Sequence, residues 1–261
     1  MKTAMRPSRV LRKLRAGEIA SCFKLNLSDP RMAELAAMAG FDCLWICLEH
    51  VPTDASAMEN QIRAAKAFDV DALVRVARGP YSNHIWPLEA DASGIMVPHV
   101  MGLEDAKNVV KMTKFHPIGR RPVDGGNSDG AYCNIEFSEY LKQANEQRFV
   151  CIQIEDPEPL DELEEIAALP GIDMLFFGPA DFSHGIGAPG QWDHPLLVET
   201  RKRIAKVAAE HGKFAGTTTS PDTIQEYVDM GYRYLCMGAD VLGLSIYCKQ
   251  MKSEFDKVQV R

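Results

Sequence analysis

Two apolar runs each end on a carboxylate: Cys151-Ile152-Gln153-Ile154-Glu155, and Met174-Leu175-Phe176-Phe177-Gly178-Pro179-Ala180-Asp181. Read as neighbouring parallel strands, about 4.8 Å apart, their tips bring Glu155 and Asp181 within reach of a single cation. Hard oxygen donors favour Mg2+ or Mn2+, with Co2+ a further option, and leave coordination positions open to water and substrate. Taken one at a time, Glu155 serves equally as a helix cap and Asp181 as a turn residue. Their place at successive strand ends is what points to a metal.

Three further segments carry chemistry. Trp45-Ile46-Cys47-Leu48-Glu49-His50-Val51-Pro52 ends a strand on an imidazole that can act as general acid or base near neutral pH, although a lone histidine is more often a structural hydrogen-bonding residue. Glu49 beside it reads as a solvated or ion-paired side chain. Arg75, inside Leu73-Val74-Arg75-Val76-Ala77, needs a carboxylate, a ligand or both if it faces inward. An enolate oxygen would suit it, and a structural ion pair is an equal alternative. Finally, Gly178-Pro179-Ala180-Asp181-Phe182-Ser183 joins a tight turn to the backbone N–H groups of Ala180 and Asp181, which could face a substrate carboxylate.

Positioning these groups takes a repeated framework. Eight β-rich runs recur, at Ser21–Leu27, Cys43–Glu49, Ala72–Ala77, Gly94–Val100, Phe149–Glu155, Asp173–Gly178, Phe214–Thr219 and Tyr232–Gly238, each followed by a helical stretch. Strands alternating with helices form a parallel sheet with right-handed crossovers, and eight can close on themselves. The expectation is an α/β chain folded as one (β/α)8 barrel of the TIM type over residues 1–261, with its site at the strand C-termini. Pro117 to Tyr132, rich in Gly and Asp, lacks periodicity and reads as an extended loop.

The 261 residues suit one such barrel, and 46% hydrophobic with 25% charged residues excludes a disordered or fibrous chain. A formal net charge of -7 repels phosphate backbones and anionic lipid, so small solutes are expected as ligands, with no nucleic acid and no membrane. No window approaches the roughly 20 apolar residues of a membrane span. Seven cysteines without metal spacing read as reduced thiols in a cytoplasmic protein. The basic stretch from Met1 to Arg15 has no signal-peptide core and reads as a solvated first helix.

In order and spacing, Glu49-His50-Val51-Pro52, Val74-Arg75, Gln153-Ile154-Glu155 and Gly178-Pro179-Ala180-Asp181-Phe182-Ser183 resemble the HpcH/HpaI aldolases, class II pyruvate aldolases of the phosphoenolpyruvate/pyruvate barrel superfamily. The resemblance implies that Glu155 and Asp181 hold a divalent metal that chelates pyruvate. It implies that Gln153, Gly178, Pro179, Ala180 and Asp181 form the substrate cradle, that Arg75 stabilises the enolate oxygen, and that His50 moves the hydroxyl proton. The products of cleavage would be pyruvate enolate and an aldehyde. It also implies homo-oligomers, trimers or hexamers, for which the apolar tail from Val241 to Tyr247 offers a packing surface.

The chain departs from that pattern in two places. Cys47-Leu48 stands where the family often has Asp-Gly, and a thiol does not replace a carboxylate that orients an imidazole. Pro122 and the run Asp124-Gly125-Gly126-Asn127-Ser128-Asp129-Gly130 replace the glycine usual after Arg121, which would alter the second substrate if the loop reaches the site. Three other readings remain. One is a Schiff-base aldolase relying on Lys24, the only lysine in an expected strand. Another is a silent metal- and oxo-acid-binding protein, and the third is a decarboxylase of oxaloacetate-like acids.

Overall fold

Side chains of a strand alternate between its faces, so in a barrel every second residue points inward and the last inward residue of each strand lines the mouth. The computed structural model describes residues 3–259. In chain order it contains α1 (Arg9–Arg15), β1 (Ala20–Leu25), α2 (Pro30–Met38), β2 (Cys43–Cys47), α3 (Ala55–Ala67), β3 (Asp71–Arg75), α4 (Ser82–Glu89), β4 (Gly94–Val97) and α5 (Leu103–Thr113). There follow α6 (Phe137–Gln147), β5 (Phe149–Ile154), α7 (Leu163–Ala168), β6 (Met174–Phe177), α8 (Pro179–Gly185), α9 (Pro195–Glu210), β7 (Phe214–Thr219), α10 (Ile224–Met230), β8 (Tyr234–Ala239) and α11 (Asp240–Asp256). The strands close in sequence order, all parallel, with β8 pairing back onto β1. The expected (β/α)8 barrel is therefore the observed fold.

Alternation is plain in the two cores. Inward residues Cys22, Trp45, Leu73, Met96, Cys151, Met174, Phe176 and Tyr234 pack together inside the barrel. Outward residues Ile95, Val97, Val150, Ile152, Leu175 and Phe177 pack instead against the helical ring. The same period turns Cys47, Arg75 and Gln153 inward at the upper ends of β2, β3 and β5. Six of the strands end one to three residues before the sequence limits. His99, placed within the expected Gly94–Val100, lies beyond β4, which ends at Val97 ahead of Pro98.

The expectation of a solvated first helix is corrected. Within Met1 to Arg15, Met1 and Lys2 lie outside the described residues, and α1 buries Val10, Leu11 and Leu14 against the interior residues of the barrel. Its basic residues, which suggested solvation, reach back to the strand N-termini. Arg9 and Lys13 pair with Asp42 at 2.9 and 2.8 Å, while the fully buried Asp71 accepts from Ser8 Oγ, from Val10 N–H and from Arg6. This helix is the floor of the barrel.

The loop from Pro117 to Tyr132 is ordered by a buried ion pair, Arg121 to Asp129 at 2.8 Å, with Tyr140 OH donating to the same carboxylate at 2.9 Å. Asn127, Ser128 and Tyr132 flank a groove along α3 and α4, on the outer wall rather than at the mouth of their own barrel. All seven cysteines are free thiols. Among the described residues no helix is long and apolar enough to cross a membrane.

If α1 closes the barrel, Leu11→Ala costs about 2–5 kcal/mol of unfolding free energy, as core truncations do. Urea unfolding measures this, and a change within about 0.5 kcal/mol would mark an exposed helix instead.

Candidate active site

The mouth is organised around Glu155, which follows the last residue of β5 and is 1% exposed. Its Oε1 accepts the His99 backbone N–H at 3.0 Å, and its Oε2 accepts from the Gln153 side-chain amide. His99 can aim that N–H because its backbone is left-handed, with φ 47°. Such a conformation is uncommon outside glycine and persists where surrounding contacts hold it. Gly178 supplies the space: a Cβ there would lie 2.7 Å from both Cβ and Oε2 of Glu155. A methyl group at that position would displace the carboxylate.

A second buried group faces this one. Arg75, 3% exposed at the end of β3, stacks its guanidinium 4.8 Å above the Trp45 ring and donates to Cys47 Sγ at 3.2 Å. Its Nε lies 3.0 Å from Glu49 Oε2, an ion pair without the alignment of a hydrogen bond. Of the alternatives open for Arg75, the structure supplies the carboxylate. Glu49 is accordingly not a solvated side chain but a bridge, since its other oxygen lies 3.5 Å from His99 Nε2. The His99 ring is anchored on its far side by Asp156, whose Oδ2 is 2.8 Å from Nδ1.

Glu49, His99 and Glu155 each offer one donor atom, and these atoms lie within 4.8 Å of one another. Asp181, on the first turn of α8, is half-buried and stands outside this trio, close enough for its charge to act on Glu155. His50 is largely exposed, its side chain at 55%, with Nε2 3.6 Å from Glu49 Oε2. Its backbone N–H donates to Cys47 Sγ at 3.4 Å, so the thiol at the departed position accepts from both His50 and Arg75. Pro179 and Ala180 begin α8, where first-turn N–H groups have no intrahelical acceptor. Lys24, on which a Schiff-base mechanism would depend, is half-buried with Nζ 5.0 Å over the Trp45 ring. It lines a cavity of about 370 Å3 at the ends of β1, β7 and β8.

Sequence reasoning missed His99, Asp156 and the bridging role of Glu49. The signal for His99 was available, since Val97-Pro98-His99 puts an imidazole at a strand end by the same rule that selected His50.

The electrostatics follow from crowding three carboxylates around one imidazole. Burial pushes the Glu155 carboxyl up to about 7, with the charges of Asp181 and Glu49 adding to it and the His99 N–H and ring opposing it. Burial pulls the His99 imidazole down, but Asp156, Glu155 and Glu49 together hold it above its ordinary value. The donors fit a divalent cation: two carboxylates and an imidazole converge, and among the described residues Glu49 Oε2 has no hydrogen-bond donor.

A profile of the HpcH/HpaI aldolase/citrate lyase family matches residues 21–245. The chain belongs to the HpcH/HpaI family. It is 30% identical over 249 residues to the hydroxypyruvate/pyruvate aldolase of Pseudomonas aeruginosa, covering 95% of this chain and 92% of that one. It is 31% identical over 234 residues to the 2-keto-3-deoxy-L-rhamnonate aldolase of Escherichia coli strain K12, covering 88% and 86%. The crystal structure of an HpcH/HpaI aldolase from Desulfitobacterium hafniense DCB-2 superposes with a TM-score of 0.89 at 26% identity, covering 98% of each chain. Like these HpcH/HpaI relatives, the chain is a carbon–carbon lyase scaffold of the aldolase type.

Both raised groups keep their protons to higher pH in the fold than in the unfolded chain. Stability is therefore lost as pH rises, for Glu155 between its ordinary 4.5 and about 7, and for His99 above 6.5. In EDTA, the melting temperature should fall from pH 5 to pH 8, and Glu155→Gln should flatten that fall. Added Mn2+, which competes with these protons, should raise the melting temperature more at pH 8 than at pH 5.5.

Proposed function

We propose that the protein is a divalent-metal-dependent aldolase that cleaves or forms a 4-hydroxy-2-oxo acid through a pyruvate enolate and an aldehyde. The observation that carries this reading is the buried Glu155 carboxylate, held at the mouth by His99 and Gln153 opposite the buried Arg75. Two relatives are named as aldolases of 2-oxo acids, which is the same class of substrate.

In this reading Glu155 and Asp181 hold Mg2+, Mn2+ or Co2+, and the ion, when bound, supplies Lewis acidity toward the 2-oxo group. Arg75 places its charge where the enolate oxygen develops, already desolvated and fixed by Trp45, Cys47 and Glu49. Fixed donors of that kind need no reorganisation as charge builds. Gln153 and Gly178 keep Glu155 in place, while the first-turn N–H groups of Ala180 and Asp181 take the substrate carboxylate after Pro179. His50 accepts the hydroxyl proton in the cleavage direction, the carbon–carbon bond breaks, and the aldehyde leaves the pyruvate enolate to be protonated. With Cys47 behind it rather than a carboxylate, His50 has Glu49 as its anionic neighbour.

The enzyme works as a homo-oligomer, a trimer or hexamer. Support comes from α11, whose Leu242, Leu244, Ile246 and Tyr247 are 50–67% exposed on a helix that buries little beyond Asp240. An apolar run of that extent calls for a partner surface.

With Mg2+ or Mn2+ in deuterated water, the protein should exchange the pyruvate methyl protons, and EDTA should abolish the exchange. Arg75→Lys should slow it by about 100-fold or more, the scale for losing one oriented charge stabiliser. Absence of exchange at saturating metal, or a borohydride-trapped adduct on Lys24, contradicts the reading. By light scattering, the protein should be larger than a monomer, and Leu244→Asp with Ile246→Asp should dissociate it.

A further inference from the structure

We propose that His99 is itself a ligand of the divalent cation, a nitrogen donor oriented by Asp156, and that it biases the site toward transition metals over Mg2+. The inference rests on the reading that a cation sits at Glu155, and it concerns which atoms complete the site.

The argument begins with the two ring nitrogens. Nδ1 is tied to Asp156 Oδ2 at 2.8 Å, a hydrogen-bond length. Nε2 lies 3.5 Å from Glu49 Oε1 and 3.8 Å from Glu155 Oε1, too long for a hydrogen bond to either. Donors bound 2.0–2.1 Å from one ion lie about 2.8–3.0 Å apart in octahedral and about 3.3–3.4 Å apart in tetrahedral coordination, so Nε2 is too far away for a hydrogen bond yet within about 1 Å of the spacing of two co-ligands. A proton on Nδ1, directed at Asp156, leaves the Nε2 lone pair facing two carboxylates. That arrangement is repulsive unless Nε2 takes up a proton or a metal cation lies between them, and a bound metal competes with that proton.

The remaining features serve the same geometry. A carboxylate that fixes the tautomer and orientation of a ligating histidine is the commonest outer partner of such a ligand. The left-handed backbone at His99 lets one residue give its N–H to Glu155 and turn its ring to the same carboxylate. Gln153, 3% exposed, donates to Glu155 and leaves its own Oε1 without a partner among the described residues, so polar capacity at this carboxylate is unfilled. Among first-row ions affinity for a nitrogen-containing site rises from Mn2+ to Co2+ and beyond, whereas Mg2+ prefers an all-oxygen shell, so an imidazole ligand favours Co2+ most and Mn2+ more modestly.

The test uses the metal-stripped full chain reloaded with Mn2+, read by pulsed electron paramagnetic resonance and by calorimetry. Wild-type protein should show coupling from a directly bound imidazole nitrogen, retained in His50→Gln and lost in His99→Gln. Asp156→Asn should weaken Mn2+ binding about 10–100-fold, and His99→Gln should narrow the preference for Mn2+ over Mg2+ by at least tenfold. Mn2+ bound at Glu155 with no nitrogen coupling, or coupling that survives in folded His99→Gln, overturns this proposal and leaves the aldolase reading standing. Failure to bind Mn2+ at all overturns both. Should His99→Gln not fold, as judged by circular dichroism, unchanged affinity in Asp156→Asn overturns the proposal.

Discussion

A carboxylate held almost completely out of water is the constraint on which the rest of the mouth depends. Glu155 is kept at the end of β5 by one backbone donor, one amide and one missing side chain, supplied by His99, Gln153 and Gly178. Those contributions come from β4, β5 and β6, three adjacent strands, so closure of the barrel and formation of the site are the same event. Burial makes the charge costly unless something positive answers it. Arg75 is committed to Glu49, so the Glu155 carboxylate is answered by the His99 ring 3.8 Å away when that ring is protonated, or by a bound cation.

The barrel provides rigidity from both ends. Below, α1 fills the interior with Val10, Leu11 and Leu14 and ties the strand N-termini through Asp42 and Asp71. Above, Trp45 carries Arg75 on its face and meets Phe176 edge-on at 5.5 Å, so the guanidinium rests on the packed interior. An arginine mounted in this way loses little freedom when a ligand arrives, which is the condition that charge stabilisation without reorganisation requires.

Much of this was legible in the sequence because it depends on short periods. The strand-end rule was enough to select Glu155, and a charge inside an apolar strand was enough to single out Arg75, whereas Gln153 entered only through the family resemblance. What escaped depends on contacts far apart in the chain. Glu49 read as either solvated or ion-paired, and its partners could not be named because Arg75 and His99 lie 26 and 50 residues away. His99 was absorbed into an overlong strand, since nothing local announces a left-handed turn after Val97-Pro98. The first helix looked solvated because four basic residues outnumber three apolar ones within Arg9–Arg15, although position, not number, decides which face is buried. The unusual loop after Arg121 was considered for the second substrate, yet the Arg121–Asp129 pair closes it on itself, Tyr140 ties Asp129 to α6, and Asn127, Ser128 and Tyr132 flank a groove along α3 and α4.

The central claim is that one divalent cation sits on Glu155 at the barrel mouth. Anomalous diffraction from crystals grown with Mn2+ and oxalate, a planar mimic of pyruvate enolate, tests it most directly. The account predicts a single manganese peak within bonding distance of a Glu155 oxygen, with oxalate on the Arg75 side. Well-ordered oxalate in the mouth with no manganese at Glu155, or manganese bound only elsewhere on the surface, would contradict it.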